Sequence, residues 1–133
     1  MAAEVRRVLI DRLEALVTDP PMQVAWENES FKPSGEGGWL DVQLFNSATD
    51  RLFVQYGGGT HRGIGFLQVA VMAPLHEGAA WAEDIAEQIV AHFPADLHLG
   101  PVRITQRPHV AGGIPDGAWF RLPVTIYWQA ELA

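Results

Sequence analysis

The chain has 133 residues, a formal net charge of −7 and no cysteine. This length predicts a single domain over residues 1–133 that folds without a disulfide or a metal, and the missing thiol excludes cysteine nucleophiles and cysteine metal ligands. The acidic balance, with no run of basic residues, argues against a surface for duplex DNA or an anionic membrane, and no stretch approaches the ~20 apolar residues of a membrane span.

The first predicted element is a helix with one apolar face, over about residues 3–18. Apolar residues recur there at the spacing i, i+3, i+4, i+7. Asp19-Pro20-Pro21 ends the helix because the residue before a proline is pushed out of the helical region. A short strand over residues 22–26 and a flexible loop over residues 32–38 are predicted to follow.

Three strands are predicted in the middle of the chain. Alternation of apolar and polar residues indicates strands at 39–46 and 51–56, with a turn at 46–50 between them. Residues 57–63 are rich in glycine and predict a hairpin tip, because a phosphate loop would precede a helix and carry a lysine. The strand at 64–73 is apolar on both faces, so both are covered within the protein or one is buried against an oligomer partner.

The second half of the chain adds a helix over residues 78–93, with His92 as a satisfied, semi-buried histidine at its apolar edge. A weaker strand at 102–107, a flexible loop at 111–117 and a long strand at 119–128 follow. Pro123 cannot donate a ladder hydrogen bond and should face an edge or a bulge. The predicted fold is α+β, with a mainly antiparallel, possibly mixed, sheet of about 5–6 strands and two helices packed on one face.

The search for catalytic chemistry finds no established pattern. The five histidines are scattered and form neither a His-Glu-x-x-His motif nor an i, i+4 pair on a helix. None of the serines lies in a Gly-x-Ser-x-Gly elbow. Glu27 and Glu29 could act as paired carboxylates on a strand, but solvated loop charges are the favoured interpretation. We therefore expect no catalytic residue, no metal and no cofactor.

Contacts with other proteins are the remaining functional hypothesis. Trp39 and Trp119 stand beside glycine-rich loops and out of phase with the apolar faces, so they either mark a protein contact or pack locally. The acidic excess serves either solubility or docking to a complementary protein surface. The candidate interface residues are Trp39, Arg51, His61, Arg62, Trp119 and Arg121.

Four segments, taken in order, resemble a known family. They are Val24-Ala25-Trp26-Glu27-Asn28, Gly38-Trp39-Leu40-Asp41-Val42, residues 62–71 followed by Ala73-Pro74, and residues 119–126. Together they are similar to the tail-terminator-like family of long-tailed bacteriophages and prophages, to which the lambda-type minor tail protein U is similar. The likeness spans nearly the whole chain, and no functional residue is carried over from the family.

The resemblance implies a small structural subunit of the virion that forms a six-membered ring and has no enzymatic activity. Such a ring caps the finished tail tube, stops its polymerisation and presents a docking surface to the head connector, after assembly in the host cytoplasm. The implied partners are further copies of the chain, the tail-tube protein and the head-connector protein, with no membrane and no recognition of nucleic-acid sequence. The alternatives are another neck or head-completion connector and, less favoured, a small enzyme or ligand-binding domain.

Overall fold

The computed structural model describes residues 2–19, 21–32, 37–51, 61–76 and 78–132. These residues form an α+β fold with two helices and eight strands. The helices are α1 (Ala2–Glu14) and α2 (Ala80–His92). The strands are β1 (Gln23–Ala25), β2 (Trp39–Arg51), β3 (His61–Pro74), β4 (His98–Leu99), β5 (Val102–Ile104), β6 (His109–Val110), β7 (Ile114–Asp116) and β8 (Trp119–Leu132).

The strands form one mixed sheet in the order β1-β2-β3-β8-β5-β4, with β6 and β7 also paired to β8. Only β1 and β2 are parallel among these pairs; the others are antiparallel. The sheet is therefore larger than the predicted 5–6 strands. The additional strands have two or three residues each, which is too short for an alternating pattern to show in the sequence.

The largest correction concerns the turn predicted at residues 46–50. β2 continues through this segment to Arg51, paired with β3 as far as His61, and a bulge lies between Asn46 and Ala48. The small polar residues of this segment favour turns, but the β3 backbone supplies their ladder partners. The rest of the predicted strand at 51–56 and residues 57–60 of the glycine-rich segment lie outside the described residues.

Other predicted boundaries also move. α1 ends at Glu14, because the chain leaves the helix in a tight turn in which the Leu16 N–H donates to the Leu13 carbonyl at 3.0 Å. β3 begins at His61 and β8 continues to Leu132, each lengthened by pairing with the other. The strand predicted at 102–107 ends at Ile104. The loop predicted at 111–117 contains β7.

One face of the sheet carries the hydrophobic core. Alternate positions of the three long strands are buried there and are aligned by the register: Leu40, Val42, Leu44, Leu67, Val69, Val71, Leu122, Val124 and Ile126. Apolar residues of both helices belong to the same cluster, including Leu9 of α1 and Ile89 of α2. The packing of both helices on one face of the sheet stays a prediction.

A reciprocal contact joins the ends of the two helices. The Arg12 side chain donates from Nε and Nη2 to the His92 carbonyl, at 3.0 and 2.8 Å. The His92 ring Nε2 lies 2.6 Å from the Arg12 carbonyl oxygen. Cationic donors at the carboxyl end of a helix satisfy carbonyls that have no partner within it. His92 is thus half-buried and hydrogen-bonded, as predicted.

Pro123 lies inside β8, and its nitrogen, which has no hydrogen to donate, faces a break in the strands that pair with β8. Its carbonyl accepts a hydrogen bond from the Ala111 N–H at 3.0 Å, beside β6. In a strand the nitrogen and carbonyl of one residue point to the same side, so the Pro123 nitrogen faces the gap between β6 and β7. No helix among the described residues is long and apolar enough to cross a membrane.

Candidate interaction surface

The face of the sheet opposite the core, called here the outer face, carries the candidate site. Its positions alternate with the core positions along β2, β3 and β8 and include Asp41, Gln43, Phe45, Phe66, Gln68, Arg121, Thr125 and Tyr127. All of these residues are half-buried or exposed. The outer face has a polar centre and an aromatic group at each end.

The first aromatic group is a row across three strands. Phe45, Phe66 and Tyr127 are in register; the Phe45 and Phe66 rings stack at 4.7 Å, and the Phe66 and Tyr127 centroids are 6.3 Å apart. Phe45 is 40% exposed and Tyr127 36%. Aromatic side chains held rigidly and partly open to solvent are typical of protein contact surfaces.

The polar centre is organised by Arg121. Its Nη1 donates to Asp41 Oδ2 at 2.8 Å, and its Nη2 lies 3.4 Å from Gln68 Oε1. The two charged side chains are only 16% and 23% exposed, so the pair is shielded more than most surface ion pairs. Arg121 thus has partners within its own chain, while its predicted role at an interface stays a prediction.

The second aromatic group contains the two tryptophans singled out in the sequence. The Trp39 and Trp119 rings meet edge to face at 5.8 Å, and Phe31 lies 5.0 Å from Trp39. Both tryptophans are half-buried. Local packing therefore holds these rings, and their contact with a partner stays a prediction.

The remaining candidates lie at the far end of the β2–β3 pair. Arg51 is in register with His61, and Arg62 with Asp50, while the side chains of these residues lie outside the described part. Residues 51–62 contain two arginines, one histidine and no acidic residue. In a chain of net charge −7, this segment, called here the basic arm, has the opposite sign.

An acidic groove lies at the other end of the sheet, between α2 and the segment 110–113. It encloses about 400 Å³ and is lined by Glu83, Asp84, Glu87, Val110, Ala111, Gly112, Gly113, Phe120 and Leu122. Glu87 pairs with Arg107 at 3.3 Å. Glu83 and Asp84 are exposed and have no ionic partner within the described ranges.

Glu27, which we interpreted from the sequence as a solvated loop charge, is a functional candidate in the structure. Its Oε1 accepts hydrogen bonds from the Leu44 backbone N–H and from Arg6 Nη1, the latter at 3.1 Å. Two clefts of about 540 and 590 Å³ share Trp26, Glu27, Glu29 and Val42 in their linings. No sequence pattern signals a side chain bonded to a backbone 17 residues away. No group of three or more His, Asp or Glu that could hold a metal occurs in the part of the chain described.

Comparison with known proteins identifies the family. The family model for the phage tail terminator protein matches residues 4–128. The chain belongs to the phage tail terminator family. The match runs from α1 to Trp128 in β8, and it confirms the resemblance stated above. This family is structural, and the chain therefore has a structural role in phage tail assembly, as a component of the virion tail.

The wider comparisons concern the fold. One solved structure matches with a TM-score of 0.72 at 22% identity, covering 96% of this chain and 96% of that one. At that identity the likeness shows a shared fold alone. No curated protein sequence matches the chain.

Proposed function

We propose that the protein caps the finished tail tube, ends its polymerisation and forms the head-proximal docking surface, as a six-membered ring of identical subunits. Family membership supports the role in tail assembly. The observation that supports the ring is that the basic arm, which contains no acidic residue, lies at one end of the β2–β3 pair and the acidic groove at the other. A ring closes through heterologous contacts, in which two different patches of the subunit meet.

The basic arm and the acidic groove are far apart on one subunit. Leu122 in the groove is in register with Val71, and Val71 is ten residues from His61, where the basic arm leaves β3. At the rise of an antiparallel strand, ten residues correspond to about 34 Å along β3.

The basic arm cannot cover that distance within its own subunit. Its two arginines lie at paired positions of the ladder, where Arg51 is in register with His61 and Arg62 with Asp50. An arginine side chain is far shorter than the separation from the groove. The groove open to the basic arm is therefore that of another copy, where its arginines would meet Glu83 and Asp84.

The first experiment measures assembly and capping separately. Native mass spectrometry over a concentration series, with negative-stain images, should give a six-membered ring with a central hole. Added to polymerising tail-tube protein, the ring should shorten and terminate the tubes. Monomers at every concentration, together with unaltered tube lengths, would contradict the proposal.

Charge reversal tests the assigned contact. Arg62→Glu, alone or with Arg51→Glu, should abolish capping and leave the fold intact, because like charges would then face each other between subunits. A mixture of the arginine variant with Glu83→Arg/Asp84→Arg should restore mixed assemblies. Lys32→Glu, which makes the same charge change at an exposed position, is the matched control. Capping by Arg62→Glu at the wild-type level would remove the role given to Arg62.

A further inference from the structure

Within the part of the chain that the structure describes, the outer edge of β2 is paired over only a small part of its length. β3 pairs with β2 on one side from Trp39 to Arg51, but β1 pairs with the other side only from Trp39 to Asp41. From residue 42 to residue 51, no strand among the described residues pairs with this edge. A long edge of this kind is a template on which another chain can add a strand.

Glu27 occupies the first position that β1 leaves open. The parallel register ends at Ala25 and Asp41; continued for three more residues, it would place Asn28 beside Leu44. The chain instead turns away, with Asn28 at φ 57° and the Glu29 N–H donating to the Trp26 carbonyl at 3.3 Å.

The Glu27 carboxylate takes the place of the absent strand. Its Oε1 accepts the Leu44 N–H, which points away from β3, and so acts as the carbonyl oxygen of a neighbouring strand would. Arg6 holds the same oxygen from α1 at 3.1 Å. Because the two clefts along this edge share Glu27 in their linings, the side chain stands between them and divides the space that an added strand would need.

We propose that Glu27 is a strand cap, which keeps the outer edge of β2 closed to strand addition by a second copy of the chain. The occupant excluded is β2 of that second copy. The other edge strands in the described ranges are β1, β4, β6 and β7, which have two or three residues each, so β2 alone among them offers an edge of matching length. The bulge between Asn46 and Ala48 protects the same edge further along, by disrupting its regular ladder. This role does not depend on the ring.

Three substitutions distinguish a cap from a simple surface charge. Glu27→Ala removes the acceptor and leaves the Leu44 N–H open. Glu27→Gln keeps an oxygen in place and removes only the charge that pairs with Arg6. Glu29→Ala makes the same truncation two residues away, at an exposed side chain whose carboxylate has no hydrogen-bond partner among the described residues. It is the matched control.

The test combines amide hydrogen exchange with sedimentation velocity at a concentration where the wild type gives one species. In Glu27→Ala, the Leu44 amide should exchange about tenfold faster while the protein is unassociated, the change expected for loss of one charge-assisted hydrogen bond. At higher concentration Glu27→Ala should form additional species, with amides 45–49 becoming protected. Glu27→Gln and Glu29→Ala should behave as wild type.

Three results would overturn the strand cap. Unchanged exchange at Leu44 in Glu27→Ala would show that the carboxylate does not hold that amide. An association profile of Glu27→Ala equal to that of Glu29→Ala would show that the edge stays closed without the cap. If the additional species instead require the tail-tube protein, the excluded occupant is a different chain, and the proposal fails as stated.

Discussion

The two faces of the sheet are built from the same strands and differ in almost every physical property. The core face holds aliphatic side chains that are fully buried, such as Leu67 and Val69. The outer face holds a shielded ion pair between two aromatic groups, and part of each group faces solvent. The difference indicates that one face fixes the fold, while the other is available for contacts that the isolated subunit does not make.

The strongest way to break this comparison is to truncate adjacent residues of β3. Leu67→Ala should lower the free energy of unfolding by about 3 kcal/mol, because it leaves a cavity in the core. Phe66→Ala, on the outer face, should cost about 1 kcal/mol, since its ring contacts only Phe45 and Tyr127 among the described rings. Urea unfolding of both variants measures the difference, and equal losses would show that the outer face carries as much stability as the core.

A second test concerns how closely β2 and β8 approach β3 at Gly65. A Cβ at this position would lie 2.1 Å from the Phe45 carbonyl oxygen and 2.7 Å from the Trp128 ring. Gly65→Ala should therefore destabilise the protein by about 2 kcal/mol through overpacking. Gly112→Ala is the control, because a Cβ there meets no atom within 4 Å and should change thermal stability little. A neutral Gly65→Ala would contradict the close packing.

The ion pair in the polar centre should have a smaller effect. Arg121→Met leaves the Asp41 carboxylate without its 2.8 Å partner and should cost about 1–2 kcal/mol, because the pair is shielded but not fully buried. A double-mutant cycle with Asp41→Asn isolates the coupling. Additive effects of the two substitutions would mean that the pair contributes no coupling energy to the fold.

The smallest effect on stability, with the most direct bearing on assembly, is expected at the exposed end of the aromatic row. Tyr127→Ser and Phe45→Ser should each change the free energy of unfolding by about 1 kcal/mol or less, because both rings are already partly exposed. If the outer face is a contact surface, both should weaken ring formation or tube capping. Val17→Ser, at a side chain 84% exposed, should change neither property. Normal assembly by both aromatic variants would limit the outer face to an exposed surface without a partner.

The long elements with a regular apolar pattern could be predicted from the sequence, and the structure shows why. One face of the strand at 64–73 belongs to the core, and its other face carries Phe66 and Met72. Both faces are therefore apolar in the sequence. The apolar phase of β8 is correct because Val124 and Ile126 pair in register with core positions of β3. In such strands every second residue lies on the buried face, so the sequence alternates visibly.

The contacts of the candidate site could not be predicted in the same way. Arg121 and Asp41 are 80 residues apart, and only the register of β2, β3 and β8 brings them together. The continuation of β2 through Ser47 and Thr49 depends on β3 as a partner, which outweighs the turn preference of those residues. Local patterns report burial, but they do not report which distant backbone supplies a hydrogen bond.

The position of β8 has a consequence for how the protein forms during synthesis. β8 lies in the interior of the sheet and pairs with β3, β5, β6 and β7, all of which precede it in the chain. The hairpin of β2 and β3 can therefore leave the ribosome and pair while the opposite side of β3 still has no neighbour. Completion of the sheet waits until residue 132 has been translated, and it then joins segments that are distant along the chain. Such non-local pairing is slow, so the nascent subunit exposes the inner edge of β3 until β8 arrives, and chaperone protection would matter most during that interval.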